Sequence, residues 1–72
     1  MRDFFRDVDI EPQETGVTFK AVSLRAAQLF TALYGVVDYT VTDDNLERNL
    51  SRRLRDEGFT VYRAMADATT VD

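Results

Sequence analysis

The feature that most constrains this chain is a hydrophobic period that switches between two and about 3.6 residues, with punctuation at each switch. In residues 16–22, Val17, Phe19 and Ala21 alternate with Thr18, Lys20 and Val22, the pattern of a half-buried strand. Ser23 is placed as an N-cap, its hydroxyl able to accept from the free amides of a first helical turn. Residues 24–34 follow without a breaker, and Ala26, Leu29, Phe30 and Leu33 fall at i, i+3, i+4 and i+7 as one inward stripe. Gly35 can take the left-handed conformation that ends a helix. Residues 36–41 return to period two, with Val37, Tyr39 and Val41 on one face.

A second helix follows the same grammar. Thr42 is expected as its cap, Asp43 and Asp44 place negative charge at the positive end of the helix dipole, and Val41 can staple against Leu46. Leu46, Leu50 and Leu54 form the inward stripe. Gly58 stops this helix, with Phe59 placed against Leu54 as in a Schellman motif. Residues 59–64 then read as a last strand, Phe59 and Val61 inward, Thr60 and Tyr62 outward.

The sum is an α/β fold: a small β-α-β-α-β domain with a three-stranded sheet, two helices on one face and a short N-terminal amphipathic arm or helix. Strands joined through helices are expected to be parallel with right-handed crossovers. That leaves a face bearing Thr18, Lys20, Val22, Asp38, Thr40, Thr60 and Tyr62, expected to be partly covered by the arm or by another chain, because parallel sheets with a bare face are uncommon. The chain divides into an arm and linker (1–15), a folded core (16–64) and a mobile tail (65–72). In the arm, Met1, Phe4, Phe5 and Val8 fall at i, i+3, i+4 and i+7, a stripe that needs something to pack against, since a helix of about eight residues is unstable alone in water.

Composition narrows the chemistry. At 72 residues the chain is one small domain, of a size that buries only about 60% of its unfolded surface. It contains neither Cys nor His, so disulfides, thiolate catalysis, the commonest general base and the commonest transition-metal ligands are all excluded. Self-association or a partner is then the expected source of extra stability. With no signal-like start and no apolar run of about 20 residues, the protein is expected to be cytoplasmic. The net charge is −4, concentrated in the arm, and no segment has the positive excess that neutralises phosphates.

The motifs point away from catalysis. Asp7-x-Asp9-x-Glu11 has the opening spacing of an EF-hand, but Pro12 stands where that loop needs Gly and Thr18 where it needs a bidentate Glu. A Ser23–Lys20 dyad has no further support, Ser23 being explained by capping. Asp43, Asp44 and Glu47 are accounted for by a helix N-terminus. With three glycines, each at an element boundary, there is no phosphate-cradling loop. The sequon Asn49-Leu50-Ser51 falls inside a helix. No catalytic, cofactor-binding or metal-binding residues are expected.

Three features suit a partner instead. Arg48, Arg52 and Arg55 form a row at i, i+4 and i+7 that can clamp phosphate or carboxylate, although Asp44–Arg48, Arg52–Asp56 and Arg53–Glu57 are i, i+4 pairs able to neutralise it as a solvated face. Tyr62 lies on the open sheet face and suits a protein interface. Phe4 and Phe5, with Val8, are apolar groups on a charged arm, costing about 1.5 to 3 kcal/mol each if left in water. The reading is a non-catalytic protein-binding module, an adaptor or stoichiometric inhibitor of the kind that phages and mobile elements encode. Its expected partner is another protein or itself as a homodimer. The alternative is a small nucleic-acid-binding regulator using the Arg row.

Overall fold

Among the described residues four strands make the sheet, and the additional one comes from the segment read as arm and linker. The computed structural model describes residues 6–63; the expectations for Met1, Phe4, Phe5 and the tail 65–72 lie outside the described residues. In chain order the elements are β1 (Val8–Pro12), β2 (Val17–Ala21), α1 (Leu24–Tyr34), β3 (Asp38–Val41), α2 (Asp44–Asp56) and β4 (Val61–Arg63). The strand order is β3-β2-β1-β4. β1 pairs antiparallel with β2 and parallel with β4, and β2 pairs antiparallel with β3.

Strand β1 corrects the three-stranded expectation. Val8 and Ile10 alternate with Asp7, Asp9 and Glu11, and the two apolar side chains are almost wholly buried, so period two holds here and the helical spacing ending at Val8 is overridden. A hairpin joins β1 to β2: Pro12 lies opposite Val17, and the Gln13 amide donates to the Gly16 carbonyl at 2.9 Å. Pro12 is tolerated because it ends its strand.

The second correction is strand direction: the sheet is mixed. Ala21, at the end of β2, donates its amide to the Val37 carbonyl just before β3 at 2.9 Å, so α1 leaves and returns at the same end of the sheet. Parallel pairing presumes a helix that carries the chain back along the strand; α1 does not, and β3 runs antiparallel.

Both helices are capped. Ser23 accepts from the Ala26 amide at 3.1 Å, and Gly35, at φ 79°, closes α1 by donating to Thr31. In α2 the cap is Asp43 rather than Thr42, its carboxylate accepting from the amides of Asn45 at 2.8 Å and Leu46 at 3.2 Å. The end of α2 has the expected Schellman bonds, Phe59 N to Leu54 O and Gly58 N to Arg55 O, both 3.0 Å.

One core joins all of this. Val8, Ile10, Val17, Phe19 and Val41 from the sheet meet Ala26 and Phe30 of α1 and Leu54 of α2, which places both helices over one face. The expected stripes are buried only in part: Leu33 is 61% and Leu46 56% exposed. Val37 lies outside β3 and is also exposed.

The other sheet face is polar and pairs with itself. Glu11 meets Lys20 at 3.6 Å, the Thr18 and Thr40 hydroxyls lie 3.0 Å apart, and Arg6 stacks over the Tyr62 ring at 4.7 Å. Asp9 Oδ1 is buried with no hydrogen bond, and the Arg6 guanidinium 3.4 Å away supplies its compensating charge. No described helix is long and apolar enough to cross a membrane.

Candidate functional site

Three places concentrate side chains of chemical interest: a buried carboxylate at the start of β1, a groove between α2 and β4, and a cleft between α1 and α2. The first is a junction. Asp7 is wholly buried, yet its carboxylate accepts from Ser23 Oγ at 2.6 Å, Arg25 Nε at 3.0 Å, Arg25 Nη2 at 2.8 Å and the Thr60 amide at 2.8 Å. Its own carbonyl accepts from the Val22 amide at 2.8 Å. A single residue thereby ties β1 to the β2–α1 turn, the first turn of α1 and the entry to β4. Arg25 also donates to the Gly58 carbonyl at 2.8 Å and lies over the Phe59 ring at 4.8 Å.

The electrostatics of this junction favour permanence over chemistry. The Arg25 hydrogen bonds hold the Asp7 carboxyl well below the usual carboxylate range against the opposing effect of burial, and the Ser23 and Thr60 bonds add to the lowering. Asp7 in turn raises Arg25 above its ordinary value. Ser23 Oγ donates to Asp7 while accepting from Ala26, and Lys20 points to the opposite face with Glu11. No Ser–Lys dyad forms.

The groove gathers the Arg row. Arg48, Arg52 and Arg55 line an open depression of about 450 Å³ together with Arg63 of β4, over a floor that includes Ile10 and Ser51. Arg63 is opposite Ile10 in the β1–β4 ladder, so period two turns it to the helix side, where it bonds Glu47. None of the ion pairs among the described residues involves Arg48, Arg52, Arg53 or Arg55. The three i, i+4 pairs read from the sequence therefore do not close; Arg48 instead donates to Asn45 at 3.3 Å.

The cleft lies on the other flank of α2. Leu29, Leu33 and Tyr34 of α1 face Leu50, Arg53 and Leu54 of α2 across a space of about 390 Å³. A smaller hollow of about 180 Å³ adjoins it, sharing Tyr34, Leu50 and Arg53 and adding Tyr39, Val41 and Leu46. Tyr34 stacks flat on Tyr39 at 3.9 Å and meets Phe30 edge-on at 5.6 Å. Burial, followed by the neighbouring Tyr39, pushes the Tyr34 phenol up. Apolar side chains thus run from the core to a rim at Leu33 and Leu46 that is exposed among the described residues.

The residues singled out from sequence separate accordingly. Arg48, Arg52 and Arg55 are brought together. Tyr62 is on the far face of the sheet under Arg6, away from both hollows. Val8 is in the core, so it is not a surface anchor, and Phe4 and Phe5 are outside the described residues. The Asp7-x-Asp9-x-Glu11 spacing is strand alternation only at Asp9 and Glu11, which lie beside Arg6 and Lys20 on the far sheet face, whereas Asp7 precedes β1 and is held by Arg25 of α1. Sequence reasoning missed the Asp7–Arg25 junction and the rims Leu33 and Leu46, which it assigned to the core. Arg63 was within reach, since it continues the inward period of Phe59 and Val61.

Comparison of the chain with protein-family models, curated protein sequences and solved structures returns no match.

Proposed function

We propose that this chain is a non-catalytic protein-binding module that docks an amphipathic helix of a partner in the cleft between α1 and α2. The observation that carries the reading is the exposure of Leu33 and Leu46 on opposite rims of a floor built by Leu29, Tyr34 and Leu50. A helix laid between two helices buries such a surface by the same ridge-and-groove packing that holds helical layers together. Arg53, on the wall of both hollows, would pair with an acidic residue flanking the partner's apolar stripe.

Three side chains are held out of acid-base chemistry near neutral pH. Asp7, Arg25 and Tyr34 are each shifted away from neutral pH, and each becomes more firmly fixed in its resting protonation state. A general acid or base needs the opposite shift. Adaptor and stoichiometric inhibitor are both consistent with a module of this kind. A homodimer that places Phe4 and Phe5 of one copy in the cleft of another is the homomeric form of the same reading.

The test is a paired variant, Leu33→Asp with Leu46→Asp, in side chains exposed enough to leave the fold intact by circular dichroism. Proteins captured from the native cell by wild type and lost by the variant identify the partner; an unchanged set defeats the reading. Light scattering of wild type against a chain lacking residues 1–5 separates the homomeric form, which predicts a halving of mass.

A further inference from the structure

The groove on the other flank of α2 is a second surface, independent of the cleft. We propose that it binds an acidic, extended segment of a partner protein, added as a strand to the open edge of β4. Three observations converge on this occupant.

The first is the edge itself. β4 ends the strand order, and its other side has no strand partner among the described residues. The Val8 amide donates to the Thr60 carbonyl at 3.1 Å, and the Thr60 amide donates to Asp7. Residue 60 therefore directs its backbone groups toward β1. Alternation turns residue 62 the same way and leaves the amides and carbonyls of Val61 and Arg63 on the open edge. An added strand satisfies such groups directly.

The second is charge. Arg48, Arg52, Arg55 and Arg63 surround the groove against Glu47 and Asp56, and Arg48, Arg52 and Arg55 have no ion-pair partner among the described residues. Side chains of an added strand that point to the helix side would meet this row, and carboxylates there gain two-bond contacts to guanidinium.

The third is the floor, where Ile10 and Ser51 are buried. A floor of one apolar and one small polar side chain, in a groove also lined by the carboxylates of Glu47 and Asp56, suits a peptide carrying separated acidic side chains better than a phosphate chain with a charge on every residue. The chain's net charge of −4 likewise opposes a nucleic acid.

The experiment uses the full chain, isotope-labelled, titrated with a synthetic heptapeptide of alternating Glu and Val, and in parallel with its Lys–Val counterpart and with oligothymidylate. The acidic peptide is expected to shift the Val61 and Arg63 amides and slow their hydrogen exchange, with the Lys peptide inert. N-methylation of the peptide backbone is expected to abolish binding. Arg52→Glu with Arg55→Glu, two exposed positions, should weaken it at least tenfold. Loss of the acidic peptide's binding in the Leu33→Asp, Leu46→Asp chain would contradict an independent site. Protection of the Val61 and Arg63 amides in the free protein would mean the edge is already taken and overturns the proposal, as does binding of oligothymidylate in preference to the acidic peptide, or acidic-peptide binding that survives the arginine reversals.

Discussion

The carboxylate of Asp7 and the guanidinium of Arg25 meet side-on, Nε to Oδ1 at 3.0 Å and Nη2 to Oδ2 at 2.8 Å, with the acid wholly buried and the base reaching in from a half-exposed position. The planar fork of Arg fits this geometry and a Lys would not. The consequence is positional. β1 and α1 are separated by a hairpin and a strand, and this contact fixes the start of one against the first turn of the other.

Asp7→Ala should therefore destabilise the fold more than any exposed substitution. It leaves the Thr60 amide and the Ser23 hydroxyl without their acceptor in a partly buried setting, where a group left wholly unsatisfied costs at most about 1 to 3 kcal/mol. Urea unfolding checks this, and a midpoint equal to wild type would show that water replaces the carboxylate at no cost. Arg25→Lys should lower the midpoint as well, because one ammonium cannot make both bonds.

The same carboxylate sets a pH dependence. Its native pKa is lowered, so the folded state binds this proton less readily than the unfolded chain, and stability rises with pH through the range where the two differ. The contribution is complete above about pH 5 and is lost as pH falls below the ordinary carboxylate value of about 3.9. The stability difference between wild type and Asp7→Asn should accordingly narrow from pH 5 downward, followed by chemical denaturation at each pH. A gap that stays constant to pH 2 would place the effect of Asn in packing.

Much of the fold is legible in the sequence where one local rule acts alone. The Ser23 cap, the Gly35 stop and the Schellman end of α2 each depend on residues within one turn of each other. β1 was legible in principle, since Asp7, Val8, Asp9, Ile10 and Glu11 alternate. A helical spacing through Met1, Phe4, Phe5 and Val8 competes with that pattern, and three acids in five residues are poor strand formers. They are tolerated because Arg25 of α1 meets Asp7 just before the strand, while Arg6 and Lys20 meet Asp9 and Glu11 on the far face. Thr42 and Asp43 are both competent caps, and no local signal separates adjacent registers. The direction of β3 depends on where α1 ends over the sheet, which no window of sequence carries. At the candidate sites the Arg row follows from helical period alone, whereas the cleft arises because α1 and α2 stop short of closing over Leu33 and Leu46.

Gly16 offers a test of the hairpin. At φ 82° its Cβ would fall on the Val41 carbonyl oxygen at the end of β3 and 2.8 Å from Thr42 Cα just past it, both backbone atoms. Gly35 has nearly the same φ, 79°, with open space where a Cβ would sit. Gly35→Ala should thus cost only the left-handed penalty of about 1 to 2 kcal/mol. Gly16→Ala should cost clearly more, because β3 must move. Thermal unfolding of the two variants compares them, and equal losses would show that the Gly16 turn relaxes freely.

The last prediction separates core from cleft along a single helix. Leu46, Leu50 and Leu54 share one face of α2, but Leu54 is 3% exposed, Leu50 half-buried and Leu46 56% exposed. Truncation removes transfer free energy in proportion to the area withdrawn from water, with a further cavity cost where neighbours cannot collapse. Leu54→Ala should cost about 2 to 5 kcal/mol, enough to unfold a domain this small. Leu50→Ala should cost about half as much, since its outer side already faces the cleft, and Leu46→Ala should fall within about 0.5 kcal/mol of wild type, as exposed positions do. Chemical denaturation of the three variants measures the gradient. The same three should rank in the opposite order, relative to their effect on stability, in weakening the partner. A Leu46→Ala variant as unstable as Leu54→Ala would close the cleft and remove the basis for docking there.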